Sequence, residues 1–146
     1  MVFMKLEHCH ISIIKKWAEH DSIKTWIAID DWDAYYEYAS NDVNTNLFAI
    51  YDDEHFIGGL SAENDNAADC LNISLIINPN FHNRGLGTNA LNYFAKNVQS
   101  LIGILPRYIH AGIYAGNIAS IKCFSKAGYV SHGVDIDGEE RYLLYL

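Results

Sequence analysis

The chain of 146 residues has few prolines, few cysteines and few cations. Its two prolines, Pro79 and Pro106, read as punctuation between elements rather than as breaks within them. Its three cysteines, Cys9, Cys70 and Cys123, are odd in number and far apart, with no Cys-x-x-Cys or Cys/His ligand spacing, which argues against a zinc site. His8 and His10 flank Cys9 at a predicted strand–helix junction and are expected to be surface or half-buried side chains. No apolar run approaches the roughly 18–20 residues that cross a bilayer. The N-terminus lacks the basic segment and apolar core of a signal peptide, so a soluble, cytoplasmic protein with no membrane partner is expected. Ten Lys and Arg stand against eighteen Asp and Glu, and the deficit is uneven. Residues 1–75 carry a net charge of −10 and residues 76–146 a net of +2, together −8. An acidic first half argues against nucleic acid, which needs a basic face. It suits a cationic small substrate such as an amine, and it also simply keeps a chain in solution.

Half of the residues are hydrophobic, an ordinary globular balance, and no repeat, low-complexity stretch or linker interrupts them. One domain over residues 1–146 is expected. Val2 to Leu6 reads as a short strand. Apolar residues then recur at helical spacing through Ile13, Ile14, Trp17, Ala18, Ile23, Trp26 and Ile27, predicting one or two amphipathic helices. Asp31 to Ala39 is a further short helix. Asn46 to Tyr51 and Phe56 to Ala62 form an antiparallel pair turned by Asp52-Asp53-Glu54, and Asn64-Asp65-Asn66 is a loop. Leu71 to Ile77 is a strand stopped by Pro79. Leu91, Phe94, Ala95, Val98, Leu101 and Ile102 make a helical stripe, followed by a strand from Tyr108 to Tyr114. Asn117 caps a helix running to Ala127 and ended by Gly128. A closing hairpin, Tyr129 to Val134 with Arg141 to Leu146, turns at Asp137-Gly138. The element order predicts an α/β fold of the α+β type, a mixed sheet with helices packed on it.

Most of the chemistry points to the loop His82-Asn83-Arg84-Gly85-Leu86-Gly87-Thr88, between a strand and a long helix. Its glycines let the backbone turn tightly and approach a ligand. Unbonded N–H groups at a helix start, with the helix dipole behind them, favour an anion such as a pyrophosphate, and Arg84 and His82 add positive charge. A dinucleotide site of the Rossmann kind fits poorly, because residues 96–104 offer no acidic residue at the end of a second strand.

This loop resembles the Gln/Arg-x-x-Gly-x-Gly/Ala signature of the GNAT superfamily of N-acetyltransferases, with His82 where Gln or Arg is usual. The family's second signature, Asn-x-x-Ser/Ala followed by an aromatic residue and Gly-Phe/Tyr, is similar to Asn117-Ile-Ala-Ser120-Ile-Lys-Cys-Phe124-Ser-Lys-Ala-Gly128-Tyr129. The resemblance covers residues 45–146 well and the first 45 only by element order. It implies a mostly antiparallel sheet of six to seven strands, about four helices, and a splayed cleft between the fourth and fifth strands. It further implies acetyl-CoA as co-substrate and no metal. The pantetheine arm would bond the backbone around Leu75, Ile76 and Ile77, the pyrophosphate would take amides from Arg84 to Thr88, and His82, Asn83, Asn117, Ser120 and Phe124 would line the coenzyme.

Acetyl transfer to an amine needs a neutral amine, a polarised carbonyl and a stabilised thiolate. The chain departs from many relatives at two positions, with Phe124 in place of a tyrosine acid and Asn72 in place of a glutamate base. Ser120 is then the candidate for the thiolate and Glu63 for the base, acting through water, with Asp65 and Tyr114 as rivals. The function expected is transfer of an acetyl group to a primary amine, small-molecule or peptide, in a ternary complex. The alternative is a module that holds acyl-CoA without catalysis. The apolar closing hairpin is a candidate homodimer surface.

Overall fold

The computed structural model describes residues 1–146. Seven strands form one open sheet: β1 (Val2–Lys5), β2 (Thr45–Asp52), β3 (His55–Asp65), β4 (Cys70–Ile77), β5 (Tyr108–Tyr114), β6 (Val130–Val134) and β7 (Glu139–Tyr145). Their order across the sheet is β1-β2-β3-β4-β5-β7-β6. All neighbours are antiparallel except β4 and β5, which run parallel. The helices are α1 (His8–Trp17), α2 (Asp21–Lys24), α3 (Trp32–Asn41), α4 (Leu86–Ile102) and α5 (Ile118–Lys126). Of the one or two helices expected before residue 28, the second is the single turn α2, where the ring of His20 accepts from Ser22 N–H at 3.2 Å.

The periodicities become two packed layers. α4 lays Leu91, Phe94 and Val98, each at most 1% exposed, on one sheet face against Ile57, Leu60, Leu71 and Ile109. Phe3 and Phe48 extend that core, with Phe3 stacked on Phe94 at 6.1 Å between ring centroids. The other face is covered near its β1 edge by α1, through Ile11, Ile14 and Trp17 around Ala49. Truncating so enclosed a ring as Phe94 typically costs about 3–5 kcal/mol, so this layer sets the stability of the whole.

Two local outcomes differ from the sequence reading. β3 runs on to Asp65, where a loop was expected, because Asp65 Oδ1 accepts from Ala68 N–H at 3.1 Å and lets the chain reverse within four residues. His10 is buried rather than at the surface: its Nδ1 accepts from Glu7 N–H at 2.8 Å, closing a capping box that starts α1, and its Nε2 bonds the Tyr51 hydroxyl at 2.9 Å.

The feature that positions the site is the short β4–β5 ladder. Only Cys70–Tyr108, Leu71–Ile109 and Asn72–His110 are paired. Beyond them the strands diverge, and Ile73, Leu75 and Ile77 face the gap. Asn78 N–H donates to Ile57 at 2.8 Å, so the even-numbered residues of β4 turn their backbone groups toward β3. The odd-numbered residues turn theirs toward β5, which is no longer there.

Candidate active site

The splay has an uncapped helix start at one end and an acidic cleft at its vertex. At the first, the chain leaves β4, makes one 3-10 turn at Pro79–Phe81 and enters α4. Asn83 (φ 61°) and Gly85 (φ 74°) both adopt left-handed backbone. Gly85 is the N-cap, and no side chain caps it. The first intrahelical bond is Asn89 N–H to Gly85, so the amides of Gly85, Leu86, Gly87 and Thr88 precede any helical partner. A side chain at Gly85 would meet nothing within 4 Å, so the approach to these amides is open. Gly87 packs against Leu75, Ile77 and Cys123, and the Thr88 hydroxyl donates to the Cys123 carbonyl at 3.3 Å, which ties the start of α4 to α5.

His82 sits differently from the sequence expectation of a positively charged phosphate contact. Its Nε2–H donates to the Ile77 carbonyl at 2.8 Å, bracing the loop against the end of β4 and occupying one backbone acceptor of the open edge. Arg84 is exposed, its guanidinium 5.2 Å from the centre of the Phe81 ring. Beside it, Arg84, Leu86, Phe81, His55, Asp52 and Asp53 enclose about 290 Å³.

On the opposite mouth of the splay stands α5. Asn117 Oδ1 accepts from Ser120 N–H at 3.3 Å, as an N-cap should. Ser120 is half-buried one turn in. Phe124 is only 5% exposed, and its ring meets Tyr129 edge-on at 5.0 Å. It is therefore core floor rather than a coenzyme-lining side chain. Burial pushes the neighbouring Cys123 thiol up, away from thiolate.

A cleft of about 340 Å³ lies at the vertex and is lined by Tyr35, Ser61, Glu63, Asn72, Ile73, Ser74, His110, Gly112 and Glu139. Register explains the assembly: Glu63 opposes Asn72, and Asn72 opposes His110, so one row crosses β3, β4 and β5 on one face. Gly112, on the same face, leaves the room that the Glu139 carboxylate occupies. A Cβ there would lie 2.0 Å from Glu139 Oε2. Tyr35 reaches down from α3; burial raises its phenol and the Glu63 charge adds to this, against the opposing effect of the Ser61 hydroxyl.

Of the three catalytic candidates, the structure brings Glu63 into this cleft and leaves Ser120 at the α5 mouth. Tyr114 is not among the lining residues; it is 43% exposed and paired across the strands with Glu139, whose charge raises its phenol. Asp65 is spent on its turn. Sequence reasoning missed His110, Glu139 and Tyr35. The available signals were polar residues interrupting apolar strands, Leu71-Asn72-Ile73 and Ile109-His110-Ala111, and a glycine inside a strand at 112.

A parallel pair splayed after three residues, with uncapped amides beside it, is an arrangement open to an extended ligand with an anionic group. The sequence model of the acetyltransferase (GNAT) family matches residues 11–129. The chain belongs to that family, as an N-acetyltransferase with acetyl-CoA as co-substrate. Among curated proteins, none matches the chain. Solved structures share the fold over 99% of the chain. A chimera of the Vibrio cholerae spermidine N-acetyltransferase and hSSAT is 14% identical over 96% of its own length, with a TM-score of 0.78. The aminoglycoside acetyltransferase AAC(6')-Ib, solved with coenzyme A and kanamycin, is 15% identical over 94% of its length, TM-score 0.81. A domain from Methanocaldococcus jannaschii is 18% identical over 97%, TM-score 0.80. The residues present fit the coenzyme: uncapped amides, a left-handed glycine with open space before it, and an unpaired strand edge.

Proposed function

We propose that this chain, acting as one domain, moves an acetyl group from acetyl-CoA to a primary amine by direct transfer with both substrates bound. The observation that carries the reading is the pairing of two half-sites across one splay. A strand edge and a helix start suited to the coenzyme lie on one side, and an acidic cleft opens at the vertex.

In this reading the backbone of Leu75 and Ile77 aligns the pantetheine arm, with Ile77 offering its N–H because its carbonyl is held by His82; Ile76, expected in the same role, turns its backbone groups to β3 instead. The amides of Gly85 to Thr88 hold the pyrophosphate, with the exposed Arg84 beside them. Asn117 keeps its cap bond through Oδ1 and offers Nδ2 to the arm. When bound, the coenzyme supplies the activated acyl group; the protein's own part is orientation, electrostatics and proton handling. Glu63 and Glu139 attract and seat a cationic amine. The Ser120 hydroxyl donates toward the leaving sulfur, replacing the tyrosine that Phe124 displaces. Holding two reactants in attack geometry supplies much of the rate, up to about 7–11 kcal/mol in ideal cases, so a site without a strong acid still turns over.

The reading is tested by calorimetric titration with acetyl-CoA, then thiol release with spermidine, glucosamine and a peptide bearing a free N-terminus. Saturable coenzyme binding with amine-dependent release supports it. Binding without release from any acceptor would leave a module that holds acyl-CoA, and no binding would remove the reading altogether.

A further inference from the structure

A glycine lies in the middle of β5, where the chain has no turn to make. Gly112 does not take a left-handed backbone, and glycine within a strand is less stable than alanine. Its use lies in what occupies the place of the missing side chain. Across the ladder, Tyr114 pairs with Glu139 and Gly112 with Arg141, so Glu139 stands diagonal to Gly112 on the same face. Its carboxylate lies over the glycine: an added Cβ would collide with Oε2 and stand 3.1 Å from Cδ. A carboxylate of β7 thus reaches over β5 into the vertex cleft, which Glu63 enters from β3.

Neither carboxylate has a cation. The ion pairs of the molecule join Asp52 to the N-terminus and Asp33 to His8 and Lys15. Arg141 makes no ion pair with either, and its charge is felt at His110, Tyr108 and Cys70, toward the paired end of β4 and β5. Nor are the two carboxylates placed to share one cation. Two inter-strand steps of about 4.8 Å and two residues of about 3.3 Å separate Glu63 from Gly112, roughly 12 Å between Cα atoms. An ammonium that bonds two carboxylates at about 2.8 Å needs them within about 6 Å of each other. Two ammonium groups about 5–6 Å apart, each at that distance from its own carboxylate, span roughly 11 Å.

We propose that Gly112 and Glu139 are specificity-determining residues: the bare strand position admits the Glu139 carboxylate to the acceptor cleft, and Glu139 with Glu63 selects a diamine, two amino groups separated by three or four methylenes, over an acceptor with one. This rests on the transferase reading above and names the acceptor class that it leaves open. Only one nitrogen is acetylated. Contact with a carboxylate keeps an amine charged, so the second amino group stays an ammonium on its seat while the first, once neutral, meets the thioester. The cation that does not react thereby positions the nitrogen that does. Glu139 is half-buried and Glu63 exposed, so salt screens the Glu139 seat less.

Matched amines test this. Thiol release is measured with 1,4-diaminobutane against butylamine and with 1,3-diaminopropane against propylamine. The unmodified protein should favour each diamine by about tenfold or more in kcat/KM, as expected for one charge-assisted hydrogen bond in a half-buried cleft. Glu139→Gln should bring that ratio to within about twofold, mainly through a higher KM for the diamine, as for a contact that only binds. Gly112→Ala should do the same while keeping or raising the melting temperature, because the added methyl displaces only the flexible end of Glu139 and alanine suits a strand better than glycine. A role confined to folding would move stability and leave the ratio alone. Acetyl-CoA affinity by calorimetry should not change in either variant. Equal thiol release from the paired amines, or a Glu139→Gln protein that retains the diamine preference, overturns the proposal and leaves the transferase standing. So does release from a peptide N-terminus with none from the four amines. Coenzyme binding with no release from any acceptor removes the transferase reading, and the acceptor class with it.

Discussion

At the residue scale, Gly85 separates backbone geometry from ligand contact. Its φ of 74° is open to glycine without penalty, whereas an L side chain there costs about 1–2 kcal/mol. Gly103 closes the other end of the same helix at φ 83°, also with nothing within 4 Å of an added Cβ. Gly85→Ala and Gly103→Ala should therefore lower thermal stability alike. Only Gly85→Ala should weaken acetyl-CoA binding, by about tenfold or 1.4 kcal/mol, since in the proposed reading its methyl would stand where the phosphate approaches the amides. Paired melting curves and titrations of the two variants check this, and equal loss of coenzyme affinity would remove the special role of the first turn. The sequence exposed Gly85 because its chemistry is local: a turn, a helix start and a cation within seven residues. It hid His110 because the residues that make it informative, Asn72 and Glu139, lie 38 positions before and 29 after it. No spacing rule joins such positions until strand register does.

At the element scale, the cap of α5 and the proposed coenzyme contact fall on one side chain. Asn117 Oδ1 caps the helix through Ser120 N–H, and the proposed reading gives its Nδ2 to the coenzyme. Asn117→Ala should cost about 1 kcal/mol of stability through the lost cap. Asn117→Asp should keep the cap and the melting temperature yet weaken coenzyme binding, because its carboxylate has no N–H to donate. Calorimetry on both variants separates the two functions, and an Asp variant with unchanged affinity would confine Asn117 to capping. Helices of this kind were legible from the chain because their apolar stripes repeat over several turns, as Leu91, Phe94 and Val98 do. The single turn α2 was legible only as the second of one or two helices, since four residues carry no period; it exists through the His20 cap and the burial of Ile23. The extension of β3 was equally hidden, because Asn64 and Asp65 favour turns by type and are drawn into the ladder by the tight reversal after them.

At the scale of the whole molecule, the alternation of strands and helices specified a mixed sheet, and seven strands around a three-pair parallel seam are what formed. The position of the seam was carried by the family resemblance, because where two parallel strands part depends on packing from α4 and α5 together. That seam reverses the usual map of a sheet's solvent protection. Backbone amides normally trade their hydrogens for deuterium fastest along the outermost strands, yet here Leu75 and Ile77 lie in the fourth of seven strands with no partner on one side. Their amides should exchange as quickly as those of the outer strand β6, and should slow on addition of acetyl-CoA while β6 does not respond. The midline of this protein would then behave as a rim that becomes interior only when its small-molecule partner is in place.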